Sequence, residues 1–315
     1  MGSALDTALD AAIAPGFSRI GFSVRSKSWR PIEENLTGLT MVVTGATSGL
    51  GKAASLDLAR LGSGLVLVGR DREKTEKVRD EISSETGNAA VRCEIADLSL
   101  MAEIRGLAAR LLDKESQIHA LINNAGTLFN ERSVTGEGIE STLATNLLGH
   151  FLLTNLLMPR LVDSAPSRIV NVASGGMYGQ RISIDNLQSD QGEYKGAAAY
   201  ARTKRGQVIL TEMWAEQLKD RGVTANSMHP GWADTPGVVH ALPTFHKVTK
   251  RFLRTPAEGA DTIVWLAASE EVAGRTGLFW HDRRPRSTHK TSRTREATAD
   301  RQQLWDALTA LAALS

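Results

Sequence analysis

The sequence contains a single cysteine, Cys93, among its 315 residues. One thiol cannot build an internal disulfide framework or a multi-cysteine metal site, and it agrees with a reducing compartment. The richest apolar stretch, residues 151–159, has about half of the roughly 18 apolar residues that a transmembrane helix requires. The N-terminus lacks the basic and apolar regions of a secretory signal. We therefore expect a cytoplasmic protein.

The sequence also lacks a strong excess of charge of either sign. Its formal net charge is +2, so no overall field favours a nucleic acid partner. The seven histidines show no paired spacing typical of metal ligands, and we expect no metal site. The apolar share of 42% and the charged share of 23% are ordinary for a globular protein with a sizeable core.

From residue 39 onward, short β-branched segments alternate with segments of helical periodicity. This alternation predicts an α/β fold with a doubly wound, parallel sheet and helices on both faces. The expected strands are residues 39–45, 64–70, 89–97, 118–126, 167–174, 222–230 and 277–282. The expected helices are residues 50–62, 71–87, 101–115, about 137–160, 198–221, 255–269 and about 297–314.

A glycine-rich segment, "TGATSGLG" at residues 44–51, joins the first strand to the first helix. Gly45 permits a tight turn, and Gly49 and Gly51 allow the backbone and the helix to approach a pyrophosphate. The helix N-terminus offers unpaired N–H groups to the same anion. An ordinary turn is the alternative, but the strand-turn-helix context favours a dinucleotide cofactor.

The end of the second strand, "VGRD" at residues 68–71, bears on the choice of cofactor. Gly69 stands where an NAD enzyme often has an acidic residue, and Arg70 follows it. The planar guanidinium of an arginine suits a 2′-phosphate, which favours NADP(H) over NAD(H). Alternatively, Arg70 is an exposed side chain paired with Asp71 or Glu73.

The segment "YARTK" places Tyr200 and Lys204 four residues apart, on one face of a predicted helix. A nearby ammonium should lower the pKa of a phenol and make it a usable acid or base. Taken alone, a tyrosine and a lysine at this spacing are more often exposed surface residues without a catalytic role. The other two tyrosines, Tyr178 and Tyr194, have no lysine four residues later.

Five motifs occur in order: the glycine-rich segment, "NNAG" (123–126), "ATNLLGHF" (144–151), "NVAS" (171–174) and "YARTK" (200–204). Together they resemble the short-chain dehydrogenase/reductase family over residues 38–282. The resemblance implies a Rossmann-type domain and a catalytic tetrad. Tyr200 would be the acid/base, and Lys204 would lower its pKa and bind the nicotinamide ribose. Ser174 would orient the substrate, and Asn146 would hold a water that links Lys204 to solvent.

The resemblance also implies which residues contact the cofactor, in addition to Tyr200 and Lys204. They are Gly45, Thr47, Ser48, Gly49, Leu50, Gly51, Arg70, Asp97, Leu98, Asn123, Ala125, Gly126, Pro230, Gly231 and Thr235.

Ser174 and Tyr200 are 26 residues apart, about twice the separation in many family members. The intervening insert resembles the retinol-dehydrogenase-like branch of the family. That branch generally acts on apolar carbonyls or alcohols and commonly prefers NADP. Residues 228–238 and 279–289 are similar to the branch of dehydrogenase/reductase family member 12, for which the resemblance implies no particular substrate.

The loop "HPGWADTPG" at residues 229–237 should follow the sixth strand, at the edge of the sheet where ligands bind. By the same resemblance, the backbone near Trp232–Ala233 and the Thr235 hydroxyl would hold the nicotinamide carboxamide or a phosphate. Trp232 and residues 238–253 would form a lid over the substrate. The side chain of His229 would only cap the strand.

Two terminal regions lie outside the repeating pattern. Residues 1–37 form an N-terminal extension, in which residues 17–30 carry four basic residues and no acid among apolar ones. Packing on the core as a strand or turn, or disorder, is favoured there over an interfacial membrane anchor. Residues 283–315 form a basic tail and a short helix, and residues 283–296 are expected to be solvated.

The sequence thus predicts an NADP(H)-dependent oxidoreductase that interconverts a carbonyl and an alcohol on a small, apolar molecule. Three alternatives remain. One is an epimerase or dehydratase, and another is a cofactor-binding regulator without turnover. The third is a scaffold at the membrane surface that uses residues 17–30. Related folds often form homo-oligomers through their long helices, so self-association is a further expectation.

Overall fold

The computed structural model describes residues 4–314, and eight of its strands form one sheet. The strands are β1 (Thr40–Thr44), β2 (Gly64–Gly69), β3 (Val91–Ile95), β4 (Ala120–Asn123), β5 (Ser167–Val172), β6 (Val223–Met228), β7 (Phe279–His281) and β8 (Arg284–Arg286). Their order in the sheet is β3-β2-β1-β4-β5-β6-β7-β8. The first seven are parallel, which confirms the predicted fold class.

Helices cover both faces of the sheet. They are α1 (Ala4–Ala11), α2 (Ile13–Phe17), α3 (Arg19–Ser26), α4 (Gly49–Arg60), α5 (Arg72–Thr86), α6 (Met101–Lys114), α7 (Ser141–Leu143), α8 (Gly149–Asp163), α9 (Gly196–Gln217), α10 (Pro236–Ala241), α11 (Pro243–Thr249), α12 (Pro256–Ala268) and α13 (Thr298–Leu311). None of those helices is long and apolar enough to cross a bilayer.

The alternation of side chains along a strand explains the two layers of helices. In β1, Met41 and Val43 pack with α4, α5 and α12, whereas Val42 packs on the opposite face with α6, α8 and α9. Because both faces are buried, these strands are apolar throughout. The connections reverse direction between β1 and β4, so a crevice opens there at the carboxyl ends of the strands.

Within the N-terminal extension, three helices lie between residues 4 and 26 and pack on the core, whereas the sequence suggested a strand or turn. Phe17, at the end of α2, is 4% exposed, and its ring lies against the backbone of Gly175. Arg25 in α3 is also buried and pairs with Asp6 of α1 at 2.7 Å. The extension therefore contributes both apolar and ionic contacts to the fold.

The prediction that the basic tail is solvated holds only in part, because residues 284–290 pair with the rest of the molecule whereas residues 291–293 and Arg295 are exposed. Strand β8 pairs antiparallel with β7. Arg286 of β8 lies 2.8 Å from Asp6, and Lys290 pairs with Asp10. The acids of the N-terminal extension neutralise the tail and draw it onto the molecule. The closing helix α13 then packs on α9.

Candidate active site

A cavity of about 1090 Å³ opens at the carboxyl ends of the strands. Most of the residues predicted from the sequence line it. They are Gly45, Thr47, Ser48, Gly49, Leu50, Arg70, Asp97, Leu98, Ala125, Gly126, Ser174, Tyr200, Lys204, Pro230, Gly231 and Thr235. Three predicted residues, Gly51, Asn123 and Asn146, lie behind this lining.

The glycine turn has the geometry that a pyrophosphate requires. Gly45 has φ +64°, and a Cβ atom there would lie 2.8 Å from Cα of Ala125. At Gly51, a Cβ atom would lie 2.3 Å from the Gly45 carbonyl oxygen, so Gly51 serves the close packing of helix on turn. Ser48 precedes α4 without a side-chain capping bond. The first N–H groups of α4 are thus available to an anion at the cavity.

Asn123, which was predicted to contact the cofactor, does not line the cavity, and its neighbour Asn124 does. Asn123 is fully buried, and its amide donates to Thr154 and Asn171 at 2.9 and 2.8 Å. Asn124 lines the cavity instead, and its amide donates to the carbonyl of Thr44 at 2.9 Å. Because Asn123 ends β4, its side chain faces the helical layer, which the motif alone does not reveal.

The end of β2 presents cations to the cavity. A Cβ atom at Gly69 would lie 2.3 Å from Oγ1 of Thr75, so no acidic side chain fits there. The carboxylate of Asp71 instead caps α5 and accepts a bond from the backbone N–H of Lys74 at 3.0 Å. Arg70 and Lys74 both line the cavity, and neither forms an ion pair within residues 4–314. Sequence reasoning missed Lys74, although it lies one helical turn beyond Arg70.

Tyr200 and Lys204 lie on one face of α9, as predicted. The ammonium nitrogen of Lys204 is 5.5 Å from the Tyr200 ring centroid and donates to the Val172 carbonyl at 2.9 Å. Ser174 follows β5, and its hydroxyl accepts a bond from the N–H of Gly176 at 3.1 Å. Because β5 ends and α9 begins at this cavity, they bring the three polar side chains together.

The electrostatics of this group differ from the expectation. Burial raises the pKa of Tyr200, and the hydrogen bond with Ser174 opposes this effect. Burial lowers the pKa of Lys204 to about 7, so the lysine is only partly charged at neutral pH. Desolvation thus outweighs the predicted lowering of the Tyr200 pKa by an ammonium. The phenol is held as a proton donor.

Asn146 lies within a π-helical turn, Ala144–Leu148, between α7 and α8. Its amide oxygen accepts from the N–H of Thr127 at 2.8 Å, and its nitrogen donates to the Thr127 carbonyl at 2.8 Å. The side chain is therefore occupied in holding the segment next to Gly126. A Cβ atom at Gly126 would lie 3.4 Å from the Lys204 nitrogen and 3.6 Å from the Asn146 oxygen, so both atoms border the same small space.

The loop after β6 is fixed from outside the cavity. The N–H of Trp232 donates to the Phe17 carbonyl at 2.7 Å, so this predicted cofactor contact is already occupied. Ala233 lines the cavity, and its N–H and C=O make no hydrogen bond within residues 4–314. Nδ1 of His229 accepts from the N–H of Gly231 at 3.2 Å, in agreement with a capping role.

The remaining wall of the cavity is largely apolar. It includes Phe129, Trp232, Val238, Leu242 and Phe245. Trp232 and Phe245 meet edge to face, with ring centroids 5.2 Å apart. The segment predicted as a lid, residues 238–253, thus supplies side chains to the cavity through α10 and α11.

The sheet order and its crevice are those of a Rossmann-type, nucleotide-binding protein. A model of the short chain dehydrogenase family matches residues 39–243. Dehydrogenase/reductase SDR family member 12 of Homo sapiens is 39% identical over 300 residues, covering 94% of each chain. Retinol dehydrogenase 11 of Homo sapiens is 39% identical over 249 residues, covering 78% of each chain. The chain therefore belongs to the short-chain dehydrogenase/reductase family and is an enzyme of that kind.

Solved structures share the fold. A protein from Mycobacterium Paratuberculosis aligns with a TM-score of 0.72 and 26% identity, over 89% of this chain and 95% of that one. A protein from Escherichia coli CFT073, crystallised as a complex with NADPH, aligns with a TM-score of 0.66 and 25% identity. That alignment covers 81% of this chain and 100% of the other.

Proposed function

We propose that the protein transfers hydride between NADP(H) and an apolar molecule that carries a carbonyl or alcohol group. One observation carries the proposal. A single cavity is lined both by the glycine turn and by Ser174, Tyr200 and Lys204. An anionic nucleotide and a substrate oxygen would therefore meet in the same space.

The preference for NADP(H) is supported by the end of β2. Gly69 has no room for an acid that would bind a ribose hydroxyl, and the carboxylate of Asp71 is turned to the N-terminus of α5. Arg70 and Lys74 offer two cations at the cavity, which suits a 2′-phosphate. The similar protein from Escherichia coli CFT073 was crystallised with NADPH, which agrees with this choice.

The apolar wall supports the class of substrate. Aromatic and aliphatic side chains such as Phe129, Trp232 and Phe245 exclude water and gain free energy by covering apolar surface. Several curated relatives are retinol dehydrogenases, which agrees with an apolar substrate. We therefore assign an apolar aldehyde, ketone or alcohol to the space beside Tyr200.

In the reduction, the hydroxyls of Ser174 and Tyr200 would bind the carbonyl oxygen, and Tyr200 would donate its proton to it. The raised pKa of Tyr200 keeps the phenol protonated near neutral pH, as a proton donor requires. When bound, NADPH supplies the hydride. In the oxidation, Tyr200 would accept the proton of the alcohol as a phenolate, after its own proton has passed to Lys204.

Lys204 and the π-helical turn at Asn146 would restore the proton of Tyr200. A lysine with a pKa of about 7 can both give and take a proton at neutral pH. Asn146 would orient the backbone of Thr127. The amide oxygen of Asn146 and the nitrogen of Lys204 border one small space, and a water there would connect Lys204 to solvent. A π-helical turn departs from the regular hydrogen-bond pattern, as is frequent at functional sites.

The experiment is a panel of aliphatic aldehydes, retinoids and steroids with the purified protein, followed by the absorbance of NADPH or NADH. We expect turnover of at least one apolar carbonyl, with kcat/KM about 10-fold higher for NADPH than for NADH, since an ion pair with phosphate is lost in NADH. A preference for NADH, or turnover of charged carbonyls alone, would contradict the proposal.

A further inference from the structure

Arg254, just before α12, is a fully buried arginine behind the loop after β6. Its guanidinium forms two bonds with the Asp282 carboxylate, at 2.6 and 2.9 Å. The exposed fractions of the two side chains are 1% and 2%. A buried ion pair of this kind is costly to leave half-made, so both partners are held firmly in place.

The backbone of Arg254 holds the loop on both sides of Ala233. Its N–H donates to the Trp232 carbonyl at 2.8 Å, and its carbonyl accepts from the N–H of Asp234 at 2.8 Å. Successive groups in an extended segment point to opposite sides. The N–H and C=O of Ala233 therefore point away from Arg254, and Ala233 itself lines the cavity.

The side chain of Arg254 joins this loop to the N-terminal extension. Its guanidinium donates to the carbonyls of Pro230 at 3.2 Å, Gly16 at 3.1 Å and Ser18 at 3.2 Å. The approach is close, because a Cβ atom at Gly231 would lie 2.5 Å from both Nε of Arg254 and the Phe17 carbonyl oxygen. The loop has little freedom to shift without moving the extension.

Asp282 also receives a second arginine, this time from the extension. Arg25 of α3 donates to its carboxylate at 2.7 Å and to the Gly16 carbonyl at 3.0 Å. The carboxylate is thus shared by one arginine that holds the loop and one that holds the extension. The three side chains form a single unit beneath the cavity.

We propose that Arg254 is a positioning residue, locked by Asp282 and the N-terminal extension, that aims the Ala233 backbone at the nicotinamide end of the cavity. Residues 16–25 would thereby belong to the reaction site, although Arg254 touches neither substrate nor cofactor. The proposal rests on the proposed function, because the Ala233 groups would bind the nicotinamide carboxamide.

The test compares Arg254→Lys with Arg283→Lys in the full chain. Arg283 forms a bidentate pair with Asp261, at 2.8 and 2.6 Å, and donates to the Arg30 carbonyl. It therefore matches Arg254 in its ion pair and in its contact with the N-terminal extension, but within residues 4–314 it makes no hydrogen bond or ion pair with residues 229–235. A lysine at either position keeps the positive charge but loses the planar guanidinium, whose several N–H donors reach more than one carbonyl.

For Arg254→Lys, we expect amide exchange in residues 230–235 to accelerate about 10-fold, since the loop would open locally. We expect kcat to fall about 10-fold or more, because misplacement of reacting groups slows the chemical step. The Kd of NADPH should change less than about 3-fold, because charge-assisted bonds at the other end remain. Deuteride transfer from labelled NADPH should become less selective for one face of the nicotinamide ring. Arg283→Lys should alter none of these.

A purely structural role would lower the thermal stability of both variants and leave the kcat and hydride face of Arg254→Lys unchanged, and this would overturn the proposal. If Arg254→Lys does not fold, Arg25→Gln replaces it, since the pair of Arg254 with Asp282 is kept. For Arg25→Gln, amide exchange in residues 230–235 should again accelerate and kcat should again fall. An unchanged kcat would overturn the proposal. If the wild-type protein turns over no carbonyl, the proposed function fails, while the exchange data still decide whether Arg254 fixes the loop.

Discussion

The ammonium nitrogen of Lys204 and the ring centroid of Tyr200 are 5.5 Å apart, on one face of α9. Both side chains line the cavity, and Lys204 is 3% exposed. Burial moves their pKa values apart, upward for the phenol and downward to about 7 for the ammonium. Burial therefore favours the neutral forms of both side chains in the folded protein.

Lys204→Met should stabilise the protein, measured without added nucleotide, most strongly below pH 7. In the wild type, the unfolded lysine stays protonated up to a pKa of about 10.5, whereas the folded lysine loses its proton near 7. Wild-type stability therefore rises between about pH 7 and 10.5, where the unfolded state binds more protons. The advantage of the variant should shrink over that range. Urea unfolding at several pH values checks this, and a constant difference would contradict it.

Arg70→Gln should weaken NADPH binding about 10- to 100-fold, the usual cost of a lost charged hydrogen bond. Binding of NADH should change less than about 3-fold, since it lacks the 2′-phosphate. Fluorescence titration with both nucleotides measures the effect. Arg72→Gln is the matched control, because Arg72 pairs with Glu76 and does not line the cavity. Equal losses for both nucleotides would refute the role of Arg70.

Trp305→Ala should destabilise the protein by about 2 kcal/mol, less than the 3–5 kcal/mol for a fully buried aromatic because Trp305 is partly exposed. Its ring meets Phe151 at 4.9 Å and Trp214 at 6.3 Å between centroids. Helix α13 thereby covers a patch on α8 and α9. Urea unfolding measures the loss of stability, with a substitution of an exposed residue, Gln302→Ala, as the control. Equal unfolding midpoints for Trp305→Ala and the wild type would contradict the prediction.

The fold could be predicted because its signals are local. Each strand is a short apolar run that ends at a turn, and each helix shows its own periodicity. The glycine turn and the pair of Tyr200 and Lys204 have fixed spacings that survive without tertiary information. These features placed most of the cavity correctly.

What the sequence did not reveal depends on contacts between distant residues. Asp6 and Arg286 are 280 positions apart, so nothing local shows that the basic tail is neutralised by the N-terminal extension. The N–H of Trp232 likewise donates to a residue far away in sequence, Phe17. The cavity is lined by Asn124 and not by the predicted Asn123, because the two neighbouring side chains point in different directions at the end of β4.

The most direct test of the account is single-turnover reduction of the best apolar carbonyl by Tyr200→Phe with saturating NADPH. This variant removes the proton donor and keeps the ring. We expect the rate to fall by about 100-fold or more, the usual contribution of a general acid. The Kd of NADPH should stay within about 3-fold, because the glycine turn still binds the phosphates. Turnover at the wild-type rate would contradict the assignment of Tyr200 as the acid.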